Sequence, residues 1–435
     1  MLLRFSFNNL YSYKNDVTLD FTNSSKNSLI GEANTITKYK ENYRNEDNKN
    51  NKGIRTVKVM NGNILYGANA SGKSNLIIAL RVLQIILSNG IELSKSKLYL
   101  PTFKFTDETN KKIKFNIEVL DKINGSWYKI KYKLIVTEDL KIVYESLSYS
   151  KISNKSNFLG KEKTIFDRKK QIIEFANESI MKVVNIIETE NIKYDLFLTR
   201  LIKGINKERF QNIVKTIEYK IAQSLFYDIV DKITFANIKL QNDDEFKTNL
   251  ENNKFKHNLL KELKKFDFSI QDIAVRDYPT DNQNELTSEK SKPYFLTIHK
   301  VNGKEYTLSY GLESTGTHNF IKNYIYLFDA MQNGKFVVID EFENSYHPEL
   351  QEELLRQLLD NSRNNSGFQF FLTTHNTHFM SPDYFSKDQI NFVDKDYKTQ
   401  ISDIYKLSDY DDISYKDDWE KFYREHFLGG VPNIE

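Results

Sequence analysis

The alternation of apolar and polar residues divides the chain into strands, helices and polar connections. Two N-terminal segments, MLLRFSFNNLYSY and VTLDF, alternate in the way that half-buried strands do. The segment KYKENYRNEDNKNNKG that follows is so polar that it predicts a surface loop or disorder. Residues 100–150 alternate again and predict antiparallel hairpins. From about residue 170 to 265 the spacing becomes helical, without a heptad repeat long enough for a coiled coil.

A short apolar strand, GNILYG, leads directly into a glycine-rich loop. The loop contains Gly67 and then Gly72, Lys73 and Ser74, which is the spacing of a phosphate-binding loop. The segment NLIIALRVLQIIL that follows is apolar all along its length, as expected of a helix buried against a sheet. In this strand, loop and helix context, Lys73 would reach phosphate oxygens and Ser74 would bind Mg²⁺.

A second motif lies in the segment KFVVIDEFENSYHPEL. The apolar run from Phe336 to Ile339 predicts a buried strand that delivers Asp340 and Glu341 to its carboxyl end, where ligands of open parallel sheets gather. We expect Asp340 to hold Mg²⁺, directly or through water. We expect Glu341 to orient or deprotonate an attacking water molecule.

Two further segments carry candidate chemistry. In FQFFLTTHNTHFM, a predicted strand from Phe368 to Leu372 ends in Thr373, Thr374 and His375, which places the histidine beside the Asp-Glu strand. In GLESTGTHNF, small hydroxylated residues and a glycine precede a predicted helix. Their backbone and hydroxyl donors could bind phosphate at the helix N-terminus, or the serine could be an ordinary helix cap.

Composition narrows the choice of protein class. The chain has 435 residues, a formal net charge of +3 and no cysteine, which excludes disulfides and thiolate metal sites and makes the cytoplasm the expected location. Residues 151–170 carry seven basic residues against two acidic ones, and residues 383–425 carry seven against twelve. Each bias is typical of a solvated face. The chain shows no uncharged apolar run near the length of a membrane span and no signal peptide, so we expect no membrane partner.

The order of the motifs resembles a known group of proteins. The phosphate loop, ESTGT, VVIDEFENSYHP and TTHNTHF are arranged as in the ABC-type ATPases of the SMC/RecF-like branch. They are most similar to small bacterial AAA-annotated ATP-binding proteins related to the OLD and abortive-infection (RloA-like) ATPases. The segments FSFNNLYSYKNDVTLDF, DQINFVDKD and FYREHFLGGVPNIE also resemble that group, so the likeness extends over nearly the whole chain.

This resemblance implies an ATP molecule sandwiched between two copies of the protein. Asp340 and Ser74 would bind Mg²⁺, Glu341 would be the catalytic carboxylate and His375 the catalytic switch residue contacting the γ-phosphate. The signature residues Ser314, Thr315 and Gly316 would reach the ATP of the partner copy; a basic residue is expected after them, where this chain has His318 and Asn319. The ATP-binding loop residues would be Gly67, Asn69, Ala70, Ser71, Gly72, Lys73, Ser74 and Asn75.

The predicted fold class is α/β: a P-loop NTPase with an ABC-type head, an antiparallel β subdomain and an inserted helical arm. Residues 1–150 would form the N-terminal part of the head, 151–265 the arm, and 266–435 the C-terminal part. The chain ends about 60 residues after His375, so we expect it to lack the nuclease domain that OLD proteins carry. No segment could be assigned as the glutamine loop that senses Mg²⁺ in such proteins.

The resemblance further implies an ATPase that forms a homodimer or higher homo-oligomer. Its nucleotide-dependent dimerisation would control an effector encoded nearby, a nuclease or toxin, in bacterial antiphage defence or abortive infection. The alternative is a RecF/SMC-like DNA-repair ATPase that binds DNA directly through the arm and its lysine-rich segment, with strongly salt-dependent affinity. A transporter's nucleotide-binding subunit is disfavoured by the ESTGT signature and by the embedded arm.

Overall fold

The computed structural model describes residues 1–23, 29–44, 52–106, 111–169, 172–175, 195–203, 211–236, 247–248, 250–265, 269–277, 293–343, 347–364 and 366–431. The strands in chain order are β1 (Leu2–Asn8), β2 (Val17–Asp20), β3 (Thr22–Asn23), β4 (Thr35–Arg44), β5 (Lys52–Met60), β6 (Gly62–Tyr66), β7 (Lys112–Ile123), β8 (Ser126–Thr137), β9 (Ile142–Lys151), β10 (Lys163–Lys169), β11 (Ile172–Phe175), β12 (Ile233–Ala236), β13 (Ile270–Asp277), β14 (Pro293–Val301), β15 (Lys304–Ser309), β16 (Phe336–Ile339), β17 (Gln369–Thr373), β18 (Ile390–Lys395) and β19 (Ser402–Lys406). The α-helices are α1 (Leu29–Ala33), α2 (Lys73–Lys95), α3 (Phe197–Lys203), α4 (Gln211–Val214), α5 (Ile217–Val230), α6 (Asn253–Leu263), α7 (Thr315–Asn333), α8 (Pro348–Leu359) and α9 (Trp419–Arg424).

A parallel sheet carries the motifs. Its strand order is β12-β16-β17-β6-β18-β19, and the neighbouring pairs are parallel except for the antiparallel β18 and β19. Every residue of β6, β16 and β17 is buried. Such runs lack the polar alternation of a half-exposed strand because helices and a second sheet cover both faces. The parallel arrangement brings the carboxyl ends of β6, β16 and β17 to one edge.

An antiparallel sheet lies against the other side of the long helix α2. Its strand order is β11-β10-β9-β8-β7-β1-β2. One hydrophobic core joins Phe5 and Ile130 of this sheet, Leu83 of α2, and Phe336 and Phe371 of the parallel sheet. Helix α2 is long and apolar enough to cross a membrane by length and composition, but here most of its apolar side chains are buried between the two sheets, with Ile78 and Leu93 exposed. The predicted α/β fold class is confirmed.

The polar segment at residues 38–53 differs from its prediction. Most of its described residues belong to β4 and β5, which pair antiparallel. Tyr39 and Glu41 alternate inward, and the Glu41 carboxylate is bound by Arg55 at 2.8 Å. A buried acid matched by a cross-strand arginine gives a strand whose composition is polar. The loop prediction is therefore wrong for these strands, and residues 45–51 lie outside the described residues.

The segment at residues 151–265 contains strands as well as helices. β10 and β11 extend the antiparallel sheet, α5 packs against α2, and β12 pairs with β16 in the parallel sheet. The described residues of this segment thus pack into the head, where a helical arm was expected. The predicted helix ESIMKVVNIIETENI lies outside the described residues, and the division of the chain at 151 and 265 stays a prediction.

A buried polar cluster joins this segment to the antiparallel sheet. Glu145 of β9 and Arg168 of β10 are almost fully buried, with 3.6 Å between the guanidinium and the carboxylate. Glu145 also accepts hydrogen bonds from the backbone N–H groups of Phe197 and Leu198, at 2.8 and 3.0 Å, and from the hydroxyl of Tyr132 at 3.0 Å. The carboxylate therefore caps the N-terminus of α3 and holds that helix against the sheet.

Candidate functional site

The glycine loop connects β6 to α2 in a strained conformation. Gly72, at the helix N-cap, has φ of 125°, and Ala70 has φ of 61°. A Cβ atom at Gly67 would lie 2.6 Å from the carbonyl oxygen of Val393. Side chains are thus excluded at Gly67 by packing and disfavoured at Gly72 by its positive φ. The same two features let a backbone approach phosphate closely.

Side chains from distant parts of the chain hold this loop from behind. The Tyr13 hydroxyl donates to the carbonyl of Gly72 at 3.0 Å, and the Ser402 hydroxyl donates to the carbonyl of Ser71 at 2.5 Å. The amide of Asn75 donates to the Ser12 hydroxyl at 3.0 Å. These contacts, all made by groups of the chain itself, fix the conformation of the loop. They were not predicted, because only the folded chain brings residues 12, 13 and 402 to the loop.

Lys73 lies in the hollow of the loop and is only 7% exposed. Its ammonium donates to the carbonyls of Gly67 and Ala68, at 2.6 and 3.0 Å. Burial lowers the pKa of Lys73, and the nearby carboxylates Asp340, Glu343 and Glu341 oppose this shift. The ammonium therefore sits among oxygen acceptors for which phosphate oxygens are suitable substitutes.

Ser74 and Asp340 meet across the end of β17. Because β17 lies between β6 and β16, the two motif strands are about 10 Å apart, and the gap is closed by side chains. The Ser74 hydroxyl donates to one oxygen of Asp340 at 3.2 Å, and Thr373 donates to its other oxygen. The strand order thus unites two motifs that are 266 residues apart in sequence.

The hydroxyl oxygen of Ser74 and the carboxylate oxygen of Asp340 that it contacts fit a Mg²⁺ ion that is held jointly with phosphate. Mg²⁺ prefers hard oxygen ligands, keeps several water molecules and is usually bound by one or two carboxylates together with substrate phosphates. Within the part of the chain that the structure describes, no group of three His, Cys, Asp or Glu side chains could hold a metal ion. The Ser74–Asp340 pair supplies the donor types that a phosphate-dependent Mg²⁺ site requires.

Glu341 has a left-handed backbone conformation, with φ of 51°. This conformation is uncommon for a residue with a side chain and costs free energy unless the surroundings impose it. Here the Glu341 N–H donates to the Thr373 hydroxyl at 2.8 Å, and the next N–H, of Phe342, donates to the Thr373 carbonyl at 2.9 Å. Thr373 thereby fixes the turn that exposes the Glu341 side chain beside Asp340.

His375 follows β17, and its side chain is exposed. Its backbone N–H donates to one oxygen of Glu343 at 2.8 Å, and the Thr374 hydroxyl donates to the other at 2.7 Å. Glu343 was not among the predicted site residues. The only signal in the sequence is its place two residues after Glu341, because its partners lie 31 and 32 residues further along the chain.

The signature segment begins α7. The Ser314 hydroxyl accepts a hydrogen bond from the backbone N–H of Thr317 at 3.0 Å, so the serine is the N-cap of this helix. The 19 residues of α7 span about 28 Å, whereas the following β16 spans about 13 Å. Because the turn at Gly334 joins the end of α7 to β16, the start of α7 projects beyond the carboxyl edge of the sheet. Ser314 and Thr315 are exposed there.

A surface pocket of about 620 Å³ opens beside the phosphate loop. It is bounded by Asn69 and Ala70 of the loop, by the turn after β18, and by residues 426–431. The volume lies within the range of small-molecule sites. The loop therefore borders open space on the side of Asn69 and Ala70, and Lys73, Ser74 and Asp340 do not line this pocket.

Part of the chain matches the model of a known protein family. Residues 215–381 match the model of a family described as "AAA domain, putative AbiEii toxin, Type IV TA system". The predicted resemblance to AAA-annotated proteins is confirmed. The matched residues include the signature, Asp340, Glu341 and His375, and the phosphate loop precedes them. Together with that loop and the strand order, the match supports the P-loop NTPase fold predicted from the sequence.

No curated protein matches the chain. Among solved structures, the SMC head domain from Thermotoga maritima is similar over 93% of this chain and 98% of that chain, at 12% identity and a TM-score of 0.38. At this level of likeness, the fold assignment rests on the strand order and the loop described above.

Proposed function

We propose that this protein binds ATP with Mg²⁺ and hydrolyses it. The observation that supports this most strongly is the hydrogen bond between Ser74 and Asp340, because it joins the phosphate loop to the Asp-Glu strand at one sheet edge. In the proposed mechanism, the loop N–H groups and Lys73 hold the phosphates, while Ser74 and Asp340 hold Mg²⁺. Bound Mg²⁺ would neutralise charge on the phosphates. Glu341 orients or deprotonates the water that attacks the γ-phosphate, and His375 contacts that phosphate.

We further propose that ATP joins two copies of the chain. The exposed helix start at Ser314 and Thr315 projects beyond the edge that carries the phosphate loop, which supports a role on a second copy's nucleotide. Dimerisation would then regulate an effector, a nuclease or toxin, in bacterial antiphage defence. The AbiEii-type description of the matched family favours this role over DNA repair. A cytoplasmic location is part of the proposal.

Two variants separate nucleotide binding from dimerisation. Lys73→Ala is expected to abolish ATP binding, because it removes the cation in the loop, whereas Gly316→Arg is expected to bind ATP and remain monomeric. Titration with a fluorescent ATP analogue measures the first property, and light scattering with and without ATP measures the second.

Matched controls lie on the same two helices. Lys95→Ala changes an exposed lysine at the far end of α2, and Gln332→Arg adds an arginine at the far end of α7. Both should behave as the parent protein does. ATP-dependent dimers of Gly316→Arg with full ATPase activity would show that the signature is only a helix cap. Salt-dependent binding of duplex DNA that stimulates hydrolysis would instead favour the DNA-repair role.

A further inference from the structure

The carboxylate of Glu343 is engaged by the segment that carries His375. We call residues 374–378 the switch loop. One oxygen of Glu343 accepts from the His375 N–H at 2.8 Å, and the other accepts from the Thr374 hydroxyl at 2.7 Å. Thr374 is fully buried, and Glu343 is half-buried. One oxygen of Glu343 therefore binds the backbone of the exposed His375, and the other binds the side chain of the residue before it.

A second set of contacts holds the same two segments together. The carbonyl of Glu343 accepts from the side chain of Gln351 at 3.3 Å, and the other end of that amide accepts from Asn376 at 2.8 Å. Gln351 lies on α8 and is only 4% exposed. Asn376 in turn accepts from the backbone N–H of His378 at 3.1 Å. The switch loop is thus bound to Glu343 directly through Thr374 and His375, and indirectly through the contact of Asn376 with Gln351.

The contacts of Glu343 require a carboxylate, because they use two acceptor oxygens. A carboxylate accepts hydrogen bonds through both oxygens, and bonds to an ionised acceptor are stronger than bonds to a neutral one. A glutamine keeps one acceptor oxygen, so it can serve either the His375 N–H or the Thr374 hydroxyl in the same way, but not both. An alanine serves neither and leaves the Thr374 hydroxyl buried without this acceptor.

We propose that Glu343 is the positioning residue for His375. It acts through the backbone of the switch loop rather than on ATP, and it holds the histidine at the distance from the phosphate loop that γ-phosphate contact needs. This role rests on the proposed ATPase function, because it concerns the step in which the γ-phosphate is engaged. It assigns the third acid of the DEFE segment, Glu343, to the switch loop, with Glu341 remaining the candidate catalytic carboxylate.

The test uses Glu343→Ala, Glu343→Gln and a matched control, Glu349→Ala, which removes an exposed acid from the first turn of α8. Amide hydrogen exchange of a peptide covering residues 374–378 is measured without nucleotide, and kcat and the ATP dissociation constant are measured on the same full-length proteins. We expect faster exchange in Glu343→Ala, and kcat lower by about tenfold or more. The ATP dissociation constant should rise by no more than the tenfold or so expected of His375→Ala, and the ADP dissociation constant, measured alongside, should stay within about threefold, since the phosphate loop is unchanged. Glu343→Gln should be intermediate in both readouts, and Glu349→Ala should match the parent protein.

Each result bears on the proposal. Unchanged amide hydrogen exchange in Glu343→Ala would overturn it, because the hydrogen bonds of Glu343 would then not restrain the switch loop. Faster exchange with unchanged kcat would also overturn it, leaving a contact that serves only the fold. The parent protein could also hydrolyse no ATP while exchange still responds to Glu343→Ala. In that case the proposed ATPase function fails, and with it the positioning role. The hydrogen bonds of Glu343 would still be shown to restrain the switch loop. Faster exchange, a lower kcat and an intermediate Glu343→Gln together support the proposal.

Discussion

The carboxylates of Glu145 and Glu341 lie in opposite environments: the first is buried and the second is exposed. Glu145 is fully buried, accepts from Tyr132 and from two backbone N–H groups of α3, and forms an ion pair with Arg168 at 3.6 Å; burial raises its pKa. Glu341, by contrast, extends an exposed side chain at the carboxyl edge of the parallel sheet. The comparison indicates that an acid enclosed by donors of its own chain supports the fold, whereas an acid held by its backbone and open to solvent can act on a ligand.

The strongest way to break this comparison is the substitution Glu341→Gln. We expect it to lower ATP turnover by about 10²- to 10⁴-fold, the usual contribution of a positioned acid or base, because a neutral amide cannot accept a proton. ATP affinity and the free energy of unfolding should change little, since the side chain is exposed. Steady-state ATPase assays and nucleotide titration measure both effects. Near-normal turnover would remove Glu341 from the mechanism.

Glu145→Ala tests the enclosed acid. It leaves Arg168 as a buried cation without its carboxylate and uncaps α3, so we expect the free energy of unfolding to fall by about 3–5 kcal/mol. Urea denaturation measures the change. Asp139→Ala, which removes an exposed acid paired with Lys141 in the same sheet, should cost less than about 1 kcal/mol. Equal effects of the two substitutions would mean that enclosure does not distinguish the acids.

His375→Ala sharpens the description of the open site. We expect affinity for ATP to weaken by about tenfold while affinity for ADP stays nearly unchanged, because the ring would contact only the terminal phosphate. His378→Ala is the matched control: it is also exposed, but its ring lies against Phe379 and Tyr384. Competition titrations with ATP and ADP give the two affinities. Equal losses for both nucleotides in His375→Ala would indicate a role in folding.

The sequence predicted the elements whose residues are nearly all apolar and therefore buried. The buried strand from Phe336 to Ile339 has the predicted bounds, and the apolar helix begins at Lys73. Runs of this kind carry their burial in their own composition. The helix NFIKNYIYLFDAM was predicted from Asn319, whereas α7 begins at Thr315, so Thr315 and Gly316 lie inside the helix. The helix cap at Ser314 was one of the two interpretations of that serine.

What the sequence did not show depends on partners far away in the chain. Glu41 is buried in β4 where Arg55 of the next strand neutralises its charge. Without knowledge of that partner, the polar composition of the segment indicated a loop. Glu343 acquires its contacts only once β16 and β17 lie side by side. Tyr13 and Ser402 reach the phosphate loop from either end of the chain. Each case requires the strand order, which no local pattern contains.

The position of Lys73 has a consequence for selectivity among anions. Its ammonium donates to the carbonyls of Gly67 and Ala68, so an anion that binds Lys73 competes with both of them. A weakly basic, monovalent ion such as chloride offers little in exchange, whereas a polyphosphate brings several charged oxygens that also meet the loop N–H groups. We expect the loop to remain indifferent to the salts of its surroundings and to respond to the few solutes that carry a chain of phosphates.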